Sequence, residues 1–435
     1  MKKHKNIMIQ GTGSSVGKTL IVAGLCRIFA QDGYRVSPFK SQNMALNSFV
    51  DIEGLELSRG TVIQAEAGYE IPRAFMNPIL LKPNSDNNSQ VIINGKVAYT
   101  ADAKNYFSHS KELKKIALET YKNNIENKFD IAVLEGGGSP AEINLREYDL
   151  VNMGMAELVD SPVILVGNID IGGVFAAIYG TVMLLDENDR KRIKGYIVNK
   201  FRGDRDLLKP AIEILDKKFK DEGLDIKFLG VLPYADLKIE EEDSLSDEDK
   251  SVYSNDKKYI NISIIKTKKM SNFTDFHAFK QYDDVRVKYI YDVKDLGDED
   301  IIIFPGSKNT ITDLEDLKKK GIFEKVKELK EKGKIIIGIC GGLQMLGKKI
   351  HDPKHLESNI LETEGFNFFD YETTFDEIKK TEQVTKKIEK IEGILKDFYD
   401  YEIKGYEIHQ GVTNILTPII CKDNVFATYI HGIFD

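Results

Sequence analysis

Two stretches of this sequence hold residues whose types and spacing could do chemistry. The first is QGTGSSVGKTL, residues 10–20. Phosphate binding needs backbone N–H groups that can approach oxygen closely, a lysine as a point charge, and a hydroxyl that can meet Mg²⁺. Gly11, Gly13, Ser14, Ser15 and Gly17 supply the first need, Lys18 the second and Thr19 the third. The standard spacing G-x-x-x-x-G-K-[ST] requires glycine at position 12, which is Thr12. The shift alters the loop entrance and leaves the phosphate-facing half intact. A plain Gly/Ser turn is the bland alternative. Glu135, in VLEGGG, ends an apolar run and is a second candidate for holding Mg²⁺.

The second stretch is KIIIGICGGLQMLG, residues 334–347. Cys340 follows an apolar run and precedes a helical pattern, with Gly338, Gly341 and Gly342 around it. A sharp strand-to-helix turn presents a nucleophile in this way and needs nearby glycines. A thiol nucleophile also needs a base. His409 in GYEIHQG and His431 in YIHGIF both follow strand-like runs, and the residues alone leave the choice open. FPGSKNT, residues 304–310, ends another apolar run, and the N–H groups of Gly306 and Ser307 could form an oxyanion hole.

These residues need elements that position them. Apolar runs at 6–11, 35–40, 130–138, 161–169, 195–201 and 226–233 alternate with helical patterns, which predicts a doubly wound parallel sheet. Residues 239–258 are acidic and aperiodic and read as a linker. A second α/β series follows, with strands expected at 259–266, 285–291, 300–306, 334–342, 403–408 and 425–430. A lysine-rich amphipathic stretch in this part should break near Gly321. The expected organisation is therefore α/β throughout: 1–238, a nucleotide-loop domain; 239–258, a linker; 259–435, a second α/β domain.

At 435 residues the chain exceeds one ordinary core. A net charge of −8 disfavours general nucleic-acid binding. Three cysteines, Cys26, Cys340 and Cys421, argue against a disulfide framework, and no Cys/His spacing suggests a zinc site. The N-terminal apolar run is interrupted by Gln10 and Gly11, so it reads as a strand and not as a signal peptide. No run is long enough to span a bilayer. The expectation is a cytoplasmic protein without nucleic-acid or membrane partners.

Taken together, these motifs resemble the glutamine-dependent adenosylcobyric acid synthases of cobalamin biosynthesis, over nearly the whole chain. The N-terminal half is similar to dethiobiotin-synthetase-like ligases, whose loop shares the shifted form G-T-x-x-x-V-G-K-T. The C-terminal half resembles a class I glutamine amidotransferase with a flavodoxin-like fold. PFKSQNMALNS (38–48), MNPILLKP (76–83), YGT (179–181), NKFRGD (199–204), EEDS (241–244), PGSKNT (305–310) and GYEIH (405–409) carry the likeness. Gly13 stands where partitioning ATPases place a signature lysine.

The resemblance implies ATP- and glutamine-dependent amidation of the b, d, e and g carboxylates of adenosylcobyrinic acid a,c-diamide. It implies ATP and Mg²⁺ as cofactors, glutamine and a cobalt corrinoid as substrates, and a possible homodimer. It assigns Cys340 and His431 to glutamine hydrolysis, and Lys40, Gln42, Asn43, Asn199 and Lys200 to the nucleotide site with the loop residues. It implies that the 239–258 segment carries some order near the ligand. Rival readings are the sister synthase that amidates the a and c carboxylates, and a non-catalytic, ATP-switched regulatory or scaffold protein. Two departures stand out. Ile171 replaces the arginine of D-I-[DE]-R-G-G, and Gly432-Ile433 follows His431 in place of x-Glu, so the catalytic triad lacks its third member. The chain also stops soon after His431, where the resemblance implies a further helix.

Overall fold

The structure, a computed structural model, describes residues 4–84, 88–235, 258–297, 299–389, 391–415 and 417–435. The EEDS block and nearly all of the 239–258 segment lie outside the described residues. The chain divides into two compact units. The first comprises Met1–Met44, Leu57–Leu81 and Gln90–Leu237; the second comprises Ala45–Glu56, Lys82–Ser89 and Lys238–Asp435. Two short segments of the N-terminal half therefore belong to the second unit.

The first unit is built on six strands: β1 (Lys5–Gly11), β2 (Val36–Phe39), β3 (Ile131–Glu135), β4 (Val163–Asn168), β5 (Ile193–Phe201) and β6 (Lys227–Pro233). Their order is β6-β5-β4-β1-β3-β2, and the pairings are parallel. Met8 and Ile9, adjacent on β1, are both fully buried. A strand covered on both faces needs such a continuous apolar run. The order reverses between β1 and β3, and open α/β sheets bind ligands at such a reversal. Register brings Glu135 opposite Ile9, just before the glycine-rich turn. Helix α1 (Lys18–Gln31) starts directly after that turn.

The second unit repeats the plan with β7 (Ile260–Ile265), β8 (Val285–Ile290), β9 (Ile301–Phe304), β10 (Ile335–Ile339), β11 (Ile419–Lys422) and β12 (Val425–Thr428). The order is β8-β7-β9-β10-β12-β11, parallel except for the β11–β12 pair. The lysine-rich stretch forms α2 (Thr310–Lys319) and α3 (Ile322–Glu331), separated at Gly321, whose φ of 73° favours glycine. The short helix α4 (Gly341–Leu346) follows β10.

The sequence pattern does not reveal the short strands Gln42–Met44, Ile79–Pro83, Asn88–Ile93 and Lys96–Asp102. Nor does it reveal the full reach of the antiparallel pair Glu372–Lys387 and Glu402–Thr413. The charged, largely exposed face of Glu372–Lys387 leaves too few apolar positions to mark a strand.

Candidate active sites

In the first unit the glycine-rich turn forms a loop between β1 and α1. Ser15 and Gly17 take φ of 55° and 94°, the left-handed conformations from which anion-binding nests are built. The individual glycines are not equivalent. A Cβ on Gly11 would lie 2.5 Å from Val16 Cγ2, whereas one on Gly13 would meet nothing within 4 Å. A Cβ on Gly17 would clash with Asn199 Nδ2, which donates to the Val16 carbonyl at 2.8 Å. Of the two glycines that flank Thr12, Gly11 is thus the crowded one.

Lys18 Nζ donates to the carbonyls of Gly13 (3.0 Å) and Gly138 (3.1 Å), so it lies across the loop mouth. Thr19 Oγ1 donates to Glu135 Oε1 at 3.0 Å. Lys40 Nζ donates to the same oxygen at 3.0 Å, and Gln64 Nε2 donates to Glu135 Oε2. Glu135 is 2% exposed, and a buried carboxylate requires such compensation. A hydroxyl and a carboxylate in contact beside a phosphate loop form an oxygen donor set suited to Mg²⁺.

Asn43 is buried, and Lys200 sits at φ 59° at the end of β5. Gln42 accepts from Tyr106 Oη at 2.6 Å. It lines a cavity shared with Ser139, Glu142, Asn152 and the stacked rings of Phe107 and Tyr148. Ile171 is 80% exposed, and Asp170 beside it pairs with Arg202 at 3.3 Å.

In the second unit Cys340 stands between β10 and α4 at φ 51°, ψ −105°. A non-glycine residue in that region stores strain of about 1–3 kcal/mol, which the surroundings must enforce. They do so through closeness: a Cβ on Gly342 would lie 2.1 Å from the Phe304 carbonyl oxygen, and one on Gly338 2.8 Å from the Gly342 backbone. The turn is a sharp strand-to-helix connection with glycines close by, the geometry expected of a nucleophile elbow. Cys26 is buried and Cys421 half-buried.

His431, not His409, meets the thiol. Cys340, His409 and His431 line one pocket; it is His431 that lies near enough for Cys340 to raise its pKa, while the Cys340 thiol donates to the Ile408 carbonyl at 3.6 Å. His409 is occupied elsewhere: Nε2 lies 3.1 Å from Glu407 Oε2, Nδ1 lies 2.8 Å from the Gly411 carbonyl, and the ring stacks on Tyr429.

The expected absence of a third triad member is corrected. Asp275, from the 3₁₀ segment Phe273–Gln281, places Oδ2 2.7 Å from His431 Nδ1 and accepts the Gly432 N–H on Oδ1 at 3.0 Å. Both side chains are almost fully buried. Burial pushes His431 down, but the Asp275 carboxylate and Cys340 outweigh it and raise it to about 10. His431 therefore carries its proton at neutral pH. Sequence reasoning missed Asp275 because it stands far upstream and outside the H-x-E signature. The signal available was an acid set among phenylalanines in FTDFHAF, a short segment following a parallel strand.

Strand register distinguishes the two expected oxyanion donors by the direction of their N–H groups. Ser271 pairs with Gly306 and Met270 with Ser307, and the Lys308 N–H donates to the Lys269 carbonyl. Amides alternate in direction along an antiparallel pair, so the Ser307 N–H faces away from that partner. A Cβ on Gly341 would lie 2.8 Å from the Ser307 nitrogen, on the Cys340 side. Gly306 instead makes room: its Cβ would lie 3.1 Å from His431 Cε1.

Residues 7–245 match the CobQ/CobB/MinD/ParA nucleotide binding domain, and residues 261–435 the CobB/CobQ-like glutamine amidotransferase domain. A cobyric acid synthase of Clostridium novyi is 48% identical over 100% of this chain and 87% of its own length. One of Alkaliphilus metalliredigens is 49% identical over 98% of this chain and 88% of its own. A crystal structure of a glutamine amidotransferase aligns at 15% identity over 40% of this chain and 92% of that one, with a TM-score of 0.30, too low to carry an argument. No described helix is long and apolar enough to cross a membrane.

Proposed function

Since the chain belongs to the cobyric acid synthase family, glutamine-dependent amidoligases of cobalamin biosynthesis, we propose that it amidates the b, d, e and g carboxylates of adenosylcobyrinic acid a,c-diamide through acyl phosphates. The observation that carries this reading is the pairing of two complete chemistries in one chain. One is a phosphate loop with Lys18, Thr19 and Glu135; the other is the strained Cys340 with His431 and Asp275.

A carboxylate is a poor acyl donor because it would have to expel oxide. Transfer of the γ-phosphoryl group of ATP to a corrin carboxylate gives an acyl phosphate, and ammonia then displaces phosphate. Lys18 and the loop amides would steady the γ-phosphoryl group. Thr19 and Glu135 would hold Mg²⁺, which supplies charge neutralisation at the phosphates. Lys40 and Gln64 hold the Glu135 carboxylate in place.

Ammonia would come from glutamine. The Cys340 sulfur attacks the side-chain amide carbon, and the oxyanion accepts hydrogen bonds from the N–H groups of Ser307 and Gly341. Collapse breaks the C–N bond, and His431 gives its proton to the departing nitrogen. Water then cleaves the thioester, with His431 taking the proton, to release glutamate. Asp275 fixes the imidazole with Nδ1 protonated, which turns Nε2 to the sulfur.

The test is a product assay with both corrinoid acids and both nitrogen sources. The a,c-diamide should be consumed to the hexa-amide level, and cobyrinic acid should not. Amidation of cobyrinic acid at a and c would favour the sister activity, and no nucleotide turnover with either acid would favour a regulatory protein.

A further inference from the structure

The pocket at Cys340 carries more charge than the hydrolytic machinery uses. Lys82, Lys308, Lys379 and Glu357 all line it. Two of these cations are explained by protein contacts. Glu56, 1% exposed, accepts from Lys82 Nζ at 2.8 Å and from Lys379 Nζ at 2.5 Å. Burial alone would raise Glu56, yet the two ammonium groups hold it down at about 2. Lys379 shares that one anion, and burial pushes it down to about 7.

Lys308 is different. It is enclosed in the pocket, and among the described residues its ammonium has no hydrogen bond and no ion pair. The titratable groups around it are Glu357, Lys82, Lys379, Glu56 and Cys340. Glu357 is held in place from its far side. Its Oε2 accepts the Thr310 N–H at 2.7 Å, and its carbonyl accepts from Asn309 Nδ2 at 2.7 Å. Its Oε1 has no partner among the described residues. Burial pushes Lys308 down and Glu357 up, each toward its neutral form. The protein alone leaves both charges short of partners, and that is costly unless a ligand supplies them.

A ligand that satisfies both must carry an anion and a cation close together, next to a group that reaches the Cys340 sulfur. We propose that Lys308 and Glu357 recognise the α-amino-acid head of the nitrogen donor, Lys308 binding the α-carboxylate of L-glutamine and Glu357 its α-ammonium. The inference rests on the glutaminase reading of Cys340 and names the specificity residues of that site. Lys308 directly follows Ser307, so one turn reads the head and stabilises the oxyanion. Both ends of the substrate are then fixed from the same backbone.

The test is glutaminase kinetics on the full chain with three amides: L-glutamine, glutaramate, which lacks the α-ammonium, and 4-aminobutanamide, which lacks the α-carboxylate. Lys308→Met should raise KM for glutamine by about 10- to 100-fold, the usual effect of losing a charged hydrogen bond, and leave kcat/KM for 4-aminobutanamide within about twofold. Glu357→Gln should penalise glutamine and spare glutaramate in the same way. Ammonium-driven amidation should be unchanged in both variants. Where either fails to fold, Lys308→Gln and Glu357→Asp are read in the same assays. The proposal is overturned if each variant penalises its matching truncated amide as much as glutamine, or if KM does not move. Failure of the glutaminase reading looks different: Cys340→Ala would still amidate with glutamine.

Discussion

The two reactive centres are built by opposite means. The phosphate loop comes from one continuous stretch, met by Glu135, Gly138 and Asn199 from other elements. Its reactive lysine rests on backbone carbonyls in an ordinary conformation. The thiol centre is assembled from Asp275, Ser307, Cys340 and His431, and its nucleophile is held at φ 51°. A site that binds a preformed polyanion needs backbone dipoles in sequence. A site that must create a nucleophile needs charges from several strands converging on one strained atom.

Breaking each centre should separate them. Cys340→Ala should lower glutamine-driven amidation by about 10⁴-fold or more while ammonium-driven amidation persists. Lys18→Ala should lower amidation by about 10³-fold with either nitrogen source, measured as phosphate release and product. Glu56→Ala leaves Lys82 and Lys379 buried without their anion and should cost about 3–5 kcal/mol in urea unfolding.

Asp275→Asn should lower kcat for glutamine hydrolysis by about 10²-fold. It should also move a pH limit. His431 is raised from 6.5 to about 10, so the stabilisation from its imidazolium is complete below about 6.5 and is lost as pH rises through about 10. Removing the carboxylate lowers that upper limit, so glutaminase activity in the variant should fall with rising pH at a lower pH than in the parent. His409→Ala should cost less than about tenfold, because that ring is committed to Glu407 and Tyr429. A larger loss would mean that the base had been misassigned between the two histidines.

The contrast also governs what the sequence reveals. The loop, its lysine, its threonine and the glycine-framed Cys340 are local patterns, and local patterns survive in a linear reading. Glu135 was legible from its strand end alone. Asp275 was not, since a side chain reaching His431 from 156 residues away leaves no periodic trace. Gln64 and Lys40 meet at Glu135 from different elements, and only the lysine lay in a recognisable block. Ser307 could be separated from Gly306 only by strand register, which depends on a pairing with Met270 and Ser271. The short strands between residues 42 and 102 escaped because few residues in each carry the apolar alternation.

The assignment of Ala45–Glu56 and Lys82–Ser89 to the second unit has a genetic consequence. The Ser48 carbonyl accepts from Asn272 Nδ2, and the Glu56 carboxylate accepts from Lys379, so the glutaminase unit borrows groups encoded far upstream of its own sheet. One cut at the acidic segment would release a fragment missing the anion for Lys379 and the partner of Asn272. A single recombination there could not exchange this glutaminase for another. The two activities are interleaved in the gene, and whatever drift one half undergoes must remain compatible with the other.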